Sequence, residues 1–168
     1  MKELSIFEAT VFTSPNPLTL ICTEKEDGTT NIAPICFVSY LSFEPAMIGF
    51  ATGKKSHTGE RVRATGKAVI TVPSENLAEI VMSCGSCSGS DTSKVEKFDI
   101  KLNELENNTI KIPQDTKLAF VVDLQQAIEV GDHYFHICNI EKIYGDNDKT
   151  SLYAWNGFGK VAPAIEKM

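Results

Sequence analysis

Positive charge is in the minority in this 168-residue chain: 16 lysines and arginines stand against 22 aspartates and glutamates, a net charge of −6. An acidic chain lacks the basic face that phosphate-backbone binding needs, which excludes a nucleic-acid partner. No apolar run approaches the ~20 residues that cross a bilayer as a helix. The first ten residues carry acids and no apolar signal-like core, so no membrane association is expected and a cytoplasmic location is the default. Five cysteines, an odd number without framework spacing, speak against a secreted disulfide scaffold. Only Cys84 and Cys87 stand at ligand spacing, and with no second such pair neither zinc nor an iron–sulfur cluster is expected. Gly-x-Gly-x-x-Gly is missing, which removes the usual dinucleotide fingerprint but not the use of a nicotinamide. Internal repeats and low-complexity linkers are missing too. The length fits a single domain, 1–168, able to bury a real core.

Against this background one basic stretch stands out, Thr52-Gly-Lys-Lys-Ser-His-Thr-Gly-Glu-Arg-Val-Arg63. It follows an apolar strand candidate, Met47–Ala51, and leads into a short helix ending near Gly66. A helix start offers unpaired N–H groups and partial positive charge. With Thr52, Lys54, Lys55, Ser56, Thr58 and Arg61 added, the donors suit an anion, most naturally a phosphate. The same residues would serve an ordinary solvated turn in which Ser56 or Thr58 is only an N-cap.

The rest of the chain reads as short strands in hairpin order. Leu18–Thr23, the turn Lys25-Glu-Asp-Gly28, and Thr30 to about Tyr40 form the first hairpin, with Pro34 implying an edge, a bulge or a break. Turn chemistry at Leu41–Pro45 precedes the third strand, Ala46–Ala51. Lys67–Val72 is a β-branched strand, Ser74–Met82 a helix with Ser74 as N-cap, and Cys84–Ser90 a loop. A brief helix is expected at Lys94–Phe98 and a polar, irregular excursion from Asp99 to Asp115. Leu118–Leu124, Ala127–Val130 and Tyr134–Tyr144 read as strands. Without βα alternation, the pattern predicts a mainly β fold, an antiparallel barrel with peripheral helices.

Seven segments in this order resemble the flavin reductase-like proteins, including the flavoredoxins. They are Pro15-Asn16-Pro17, Asp27–Pro34, Ser42–Pro45, Lys54–Val62, Gly66–Pro73, Gly85–Gly89 with Lys94, and Gly131-Asp132-His133. The resemblance covers roughly residues 15–145. It implies the FMN-binding split barrel, with Greek-key antiparallel strands, and a homodimer holding one FMN per subunit near the interface. Carried over, it sets Asn31, Ala33, Pro34, Ile35 and Cys36 beside the isoalloxazine ring and Ser56, Thr58 and Arg61 at the phosphate. Arg61 stands where the family usually has Asn, and Ser93 where an acidic residue is usual before the lysine.

The implied activity is an oxidoreductase of the flavin reductase type, moving electrons from NAD(P)H to flavin or another small acceptor. The alternative is a flavoredoxin-like carrier with tightly held FMN and a protein redox partner. His133 is the candidate for lining the open flavin face and touching nicotinamide or substrate, with a surface-turn role as the alternative. Cys84 and Cys87 could form a redox dithiol, although the pair follows a helix rather than opening one. Cys22, Cys36 and Cys138 read as core residues, Cys36 alone being near the flavin, and Trp155 as packing.

Overall fold

The strands that read as continuous apolar runs are buried on both faces. In β1 (Thr19–Glu24) Leu20 and Cys22 enter one hydrophobic layer and Ile21 the other, and all three are fully buried. The computed structural model describes residues 1–164. After β1 come β2 (Thr30–Ile35), β3 (Val38–Phe43), β4 (Ala46–Gly53) and the helix α2 (His57–Thr65). A helix α1 (Ile6–Phe12) precedes them. Next are β5 (Lys67–Pro73), a 3₁₀ turn at Glu75–Leu77, α3 (Ala78–Gly85) and α4 (Lys94–Lys97). The chain continues through β6 (Leu102–Asn103), β7 (Ile112–Pro113), the long β8 (Thr116–Val130) and β9 (His133–Gly145), and the hairpin β10 (Leu152–Trp155) and β11 (Lys160–Pro163).

Seven strands make one antiparallel sheet in the order β2-β1-β5-β8-β9-β4-β3. Its two edge strands, β2 and β3, are consecutive in the chain and joined only by Cys36 and Phe37. A sheet whose opposite edges are two residues apart must curl until they nearly meet, and the result is a split barrel. The link is anchored where the Ala51 N–H donates to the Phe37 carbonyl at 2.8 Å.

Inside the curl lie Ile21, Ile48, Phe50, Ile70, Phe120, Val122 and Cys138, with Val62 of α2 among them. Burying Val62 alone is worth roughly 1.5–3 kcal/mol, which seats α2 on the sheet. Outside, Leu20, Cys22, Ile32 and Val69 pack under Leu77, Val81 and Cys84. α2 has sharp ends: Ser56 Oγ accepts from the Gly59 N–H, and Gly66, at φ +72°, closes it with an N–H to the Val62 carbonyl. Only glycine takes that left-handed position without strain.

Of the edge, bulge or break that Pro34 implies, the structure shows the edge: Pro34 pairs with Leu20 in the outer strand β2, and the interruption falls at Cys36–Phe37. Several other expectations are corrected. The turn expected at Leu41–Pro45 is shorter, since β3 runs to Phe43. The strands expected at 118–124 and 127–130 are one strand with a bulge between Leu124 and Gln126. Cys84 and Gly85 belong to the last turn of α3, not to a loop. The polar stretch 99–115 is no mere surface excursion, since it sends Ile100, Ile110 and Ile112 into the core and pairs β6 with β7. No helix among the described residues is long and apolar enough to cross a membrane.

Candidate functional site

Four pieces of chain converge on one pocket of about 220 Å³: residues 33–35 of β2, the start of α2, the end of α3 with the turn after it, and the first residue of α4. β2 contributes Ala33, Pro34 and Ile35, and the approach to α2 contributes Lys55, Ser56, His57 and Thr58. Cys84, Gly85, Cys87, Ser88, Gly89 and Lys94 complete the lining. In a chain of net charge −6, this lining holds two lysines and a histidine and, among the described residues, no carboxylate.

The backbone donors of the pocket come from the helix start. Ser56 Oγ takes the Gly59 N–H at 3.3 Å, which leaves the N–H groups of His57 and Thr58 without intrahelical acceptors. Thr58 is buried, and its Oγ1 accepts from Asn31 Nδ2 at 2.9 Å, tying α2 to β2. Asn31, 2% exposed, keeps a buried Oδ1 with no partner. The turn after α3 closes over that oxygen: a Cβ on Gly89 would lie 2.0 Å from it. The His57 Nε2 is likewise buried and unpartnered. Unsatisfied buried polar atoms are costly and call for an explanation.

Lys94 was not foreseen as a site residue. Only 4% exposed, it donates to the Cys84 carbonyl at 2.7 Å and the Ile32 carbonyl at 3.0 Å. Neither acceptor carries a full negative charge, so the buried ammonium faces the pocket without a carboxylate counterion, and burial pulls its pKa down.

At Pro34 and Gly85 the pocket adjoins a second, more apolar cavity of about 370 Å³, lined also by Leu18, Cys36, Val81, Met82 and Phe158. Cys36 therefore sits one cavity further along than Ala33–Ile35, and burial pushes its thiol up to about 11. His133 starts β9 opposite Gly53, its ring 5.4 Å from that of Phe37. His133 Nδ1 lies 2.6 Å from Asp132 Oδ1, and this hydrogen bond holds the Asp132 carboxyl below its ordinary range.

The structure does not bring every expected residue into the pocket. The Arg61 guanidinium turns to the β1–β2 hairpin, where Nε donates to the Glu24 carbonyl at 2.8 Å and Nη1 meets Glu26 at 2.7 Å. Lys54 is exposed, paired with Glu129. Thr52 is buried beneath Gly59, its Oγ1 unpartnered, and Asn31 stands behind Thr58 rather than on the open surface. Ser56 and Thr58 thus meet Ala33, Pro34 and Ile35, while Arg61, Lys54, Thr52, Asn31, Cys36 and His133 lie outside the lining of this pocket. The other two histidines differ from His133: His57 lines the pocket, and His136 is fully buried and stacked on Phe50 at 4.8 Å. Trp155 donates its indole N–H to the Ala162 carbonyl across the β10–β11 hairpin.

Comparison with known proteins places this geometry. The model of the flavin reductase like domain matches residues 11–162. Among solved structures, the flavoredoxin of Methanosarcina acetivorans is 18% identical, with a TM-score of 0.84 over 100% of this chain and 94% of that one. An FMN-binding protein from Thermus thermophilus, with bound 1-cyclohex-2-enone, is 17% identical, with a TM-score of 0.82 over 100% and 97%. The 2-nitrobenzoate 2-nitroreductase NbaA of Pseudomonas fluorescens is 16% identical, with a TM-score of 0.87 over 99% and 94%. At these identities the likeness is one of fold. An uncharacterized protein of Archaeoglobus fulgidus is 28% identical over 119 residues, 69% of this chain and 66% of its own length. For an uncharacterized Halalkalibacterium halodurans protein the identity is 24% over 124 residues, 70% of this chain and 58% of that one. The chain thus spans about two thirds or less of the length of the curated relatives it matches.

Proposed function

The chain belongs to the flavin reductase-like domain family, and on that premise we propose that it binds FMN and works as an oxidoreductase, passing electrons from NAD(P)H to flavin or another small acceptor. The observation that carries the reading is the lysine-bordered pocket of about 220 Å³ at the α2 N-terminus, with no carboxylate in its lining among the described residues and adjoining an apolar cavity at Pro34 and Gly85. Its donors suit a phosphate and its apolar extension suits a flat ring. The unpartnered Asn31 Oδ1 and His57 Nε2 are polar atoms that a bound group can satisfy.

FMN, when bound, supplies the two-electron chemistry, accepting hydride and releasing electrons. The residues of this chain bind and orient. Ser56, Thr58 and the N–H groups of His57 and Thr58 would hold the phosphate, with Lys55 and Lys94 supplying charge. Ala33, Pro34, Ile35 and Cys36 would border the ring. His133, its Nδ1–H fixed by Asp132, would present Nε2 toward nicotinamide or substrate beside Phe37. A homodimer would bury the exposed Tyr40, Leu41 and Phe43 of β3. In this reading the protein is cytoplasmic.

The test is spectroscopic. The purified protein should be yellow, or become so on reconstitution, should release FMN on denaturation, and should bleach anaerobically with NADH or NADPH. A protein that takes up no flavin refutes the binding claim. One that holds FMN but stays oxidised with both nicotinamides refutes the hydride step and favours a second reading, a flavoredoxin-like electron carrier. The acidic surface supports that second reading, because it suits docking to a basic redox protein.

A further inference from the structure

Two cysteines in the pocket wall are given no role by the flavin reading. Cys84, fully buried, is the penultimate residue of α3, and Cys87, partly exposed, follows the C-cap residue Ser86. Both line the same pocket. We propose that Cys84 and Cys87 are a reversible dithiol–disulfide couple that exchanges with small-molecule disulfides entering this pocket.

Three observations converge. The first is reach. Cys84 and Cys87 stand three residues apart and line one pocket, and a disulfide asks for a Cβ separation of about 3.5–4.5 Å. Cys87 lies beyond the helix in a Ser/Gly turn, so the hydrogen-bond ladder of α3 does not hold it away from Cys84.

The second is charge. The Lys94 ammonium, anchored 2.7 Å from the Cys84 carbonyl, has no carboxylate beside it in the pocket. A negative sulfur on either cysteine is favourable to Lys94, and Lys94 in turn offsets part of the burial that pushes the Cys84 thiol up to about 11. A cation beside a partly exposed sulfur is the setting of reactive rather than structural cysteines.

The third is division of labour. Cys22 and Cys138 are fully buried among strands, and burial pushes both thiols up, so neither competes. Within the pair, the partly exposed Cys87 is the attacking group and the buried Cys84 the resolving one.

The exchange balances without further reagents. The Cys87 thiolate attacks one sulfur of RS–SR, forming a Cys87–SR mixed disulfide and expelling RS⁻. The Cys84 thiol gives its proton to that thiolate and attacks Cys87 Sγ, forming the internal disulfide and expelling a second RS⁻. This takes up the proton that Cys87 released. The protein loses two electrons, RS–SR gains them, and two RSH leave; excess reduced thiol runs the sequence backwards.

The experiment uses the full chain, reduced, desalted and incubated with oxidised glutathione, then alkylated under denaturing conditions and digested with trypsin. Peptide Ala68–Lys94 carries Cys84 and Cys87 and no other cysteine, while Cys22, Cys36 and Cys138 fall in separate peptides. The expected result is a peptide lacking two hydrogens, closed to alkylation and reopened by dithiothreitol, with the other three cysteines fully alkylated. Cys84→Ser should trap glutathione on Cys87, whereas Cys87→Ser should leave Cys84 free. If both cysteines of the wild-type peptide stay alkylatable, or if Cys84 in Cys87→Ser takes the adduct as readily, the proposal fails. Because the pocket is the one assigned to the FMN phosphate, the exchange is run on flavin-free protein and again with saturating FMN: oxidation of the pair that FMN suppresses supports both readings, and no oxidation in the flavin-free protein refutes the dithiol couple alone.

Discussion

Arg61 gives the sharpest separation between a ligand-binding and a structural role. Its side chain is 12% exposed, with Nε donating to the Glu24 carbonyl at 2.8 Å and Nη1 pairing with Glu26 at 2.7 Å. In Arg61→Ala the carbonyl loses a charged donor, a cost of about 1.5–3 kcal/mol. The pairing with the largely exposed Glu26 adds roughly 0–1 kcal/mol. The sum is about 1.5–4 kcal/mol, which for a domain of this size lowers Tm by roughly 3–16 °C. Urea unfolding monitored by circular dichroism should show a lower midpoint at unchanged slope. Fluorescence titration of the same variant with FMN and with riboflavin should give an unchanged affinity ratio, because the guanidinium does not reach the pocket. A variant of wild-type stability that loses FMN preference by tenfold or more would refute this placement and return Arg61 to the phosphate.

Ser56→Ala combined with Thr58→Ala should do the reverse, weakening FMN more than riboflavin in the same titration; an equal loss of both would mean that these hydroxyls do not meet the phosphate. The double variant should also cost about 1 kcal/mol for the lost cap. Gly89→Ala puts a Cβ 2.0 Å from the buried Asn31 Oδ1, so the turn must lift; stability should fall by about 1–3 kcal/mol of overpacking, read as a lower urea midpoint, and flavin affinity should fall with it. His136 makes stability fall in acid. Burial, aided by the Arg63 guanidinium, holds its pKa below the ordinary value, so below about pH 6.5 the unfolded chain binds a proton that the folded chain resists. The contribution is full above that pH and is lost progressively below it. The urea midpoint should fall between pH 7.5 and 5.5 in the wild type and fall less in His136→Gln.

Much of the architecture is legible where the local chemistry is unambiguous. The Lys25–Gly28 turn forms the hairpin as its residues demand, with Gly28 at φ +79°. Ser56 and Gly66 bracket α2 because one accepts an orphan N–H and the other tolerates a left-handed backbone. Misreadings arise where tertiary context decides. Pro34 marks a weak point only if its missing N–H faces a partner, and at a sheet edge it faces none. Gln125 and Gln126 look like a turn in β8, yet the strand absorbs them in a bulge. Ile100, Ile110 and Ile112 follow no period, so nothing local reveals their burial. In α1 the signal was present: Ser5 and Glu8 form a capping box. The pocket was half legible. A run of hydroxyls and cations at a strand-to-helix junction is readable as an anion site, but which cation turns inward is not. Lys94 lies in a polar stretch that gives no sign of burial, and Arg61 is long enough to find a backbone carbonyl outside the pocket first.

Lys94 and Pro34 also govern what β2 can join. In an antiparallel ladder the backbone groups of alternate residues face the same side, so with Ile32 directed away from β1, Pro34 is directed the same way. The Ile32 oxygen is already occupied by the lysine, and the proline brings no hydrogen to offer. A neighbouring polypeptide approaching that rim finds neither an acceptor at one position nor a donor at the next, so the sheet cannot be extended there by strand addition. Any self-association through main-chain pairing is thereby diverted to the other rim, along β3.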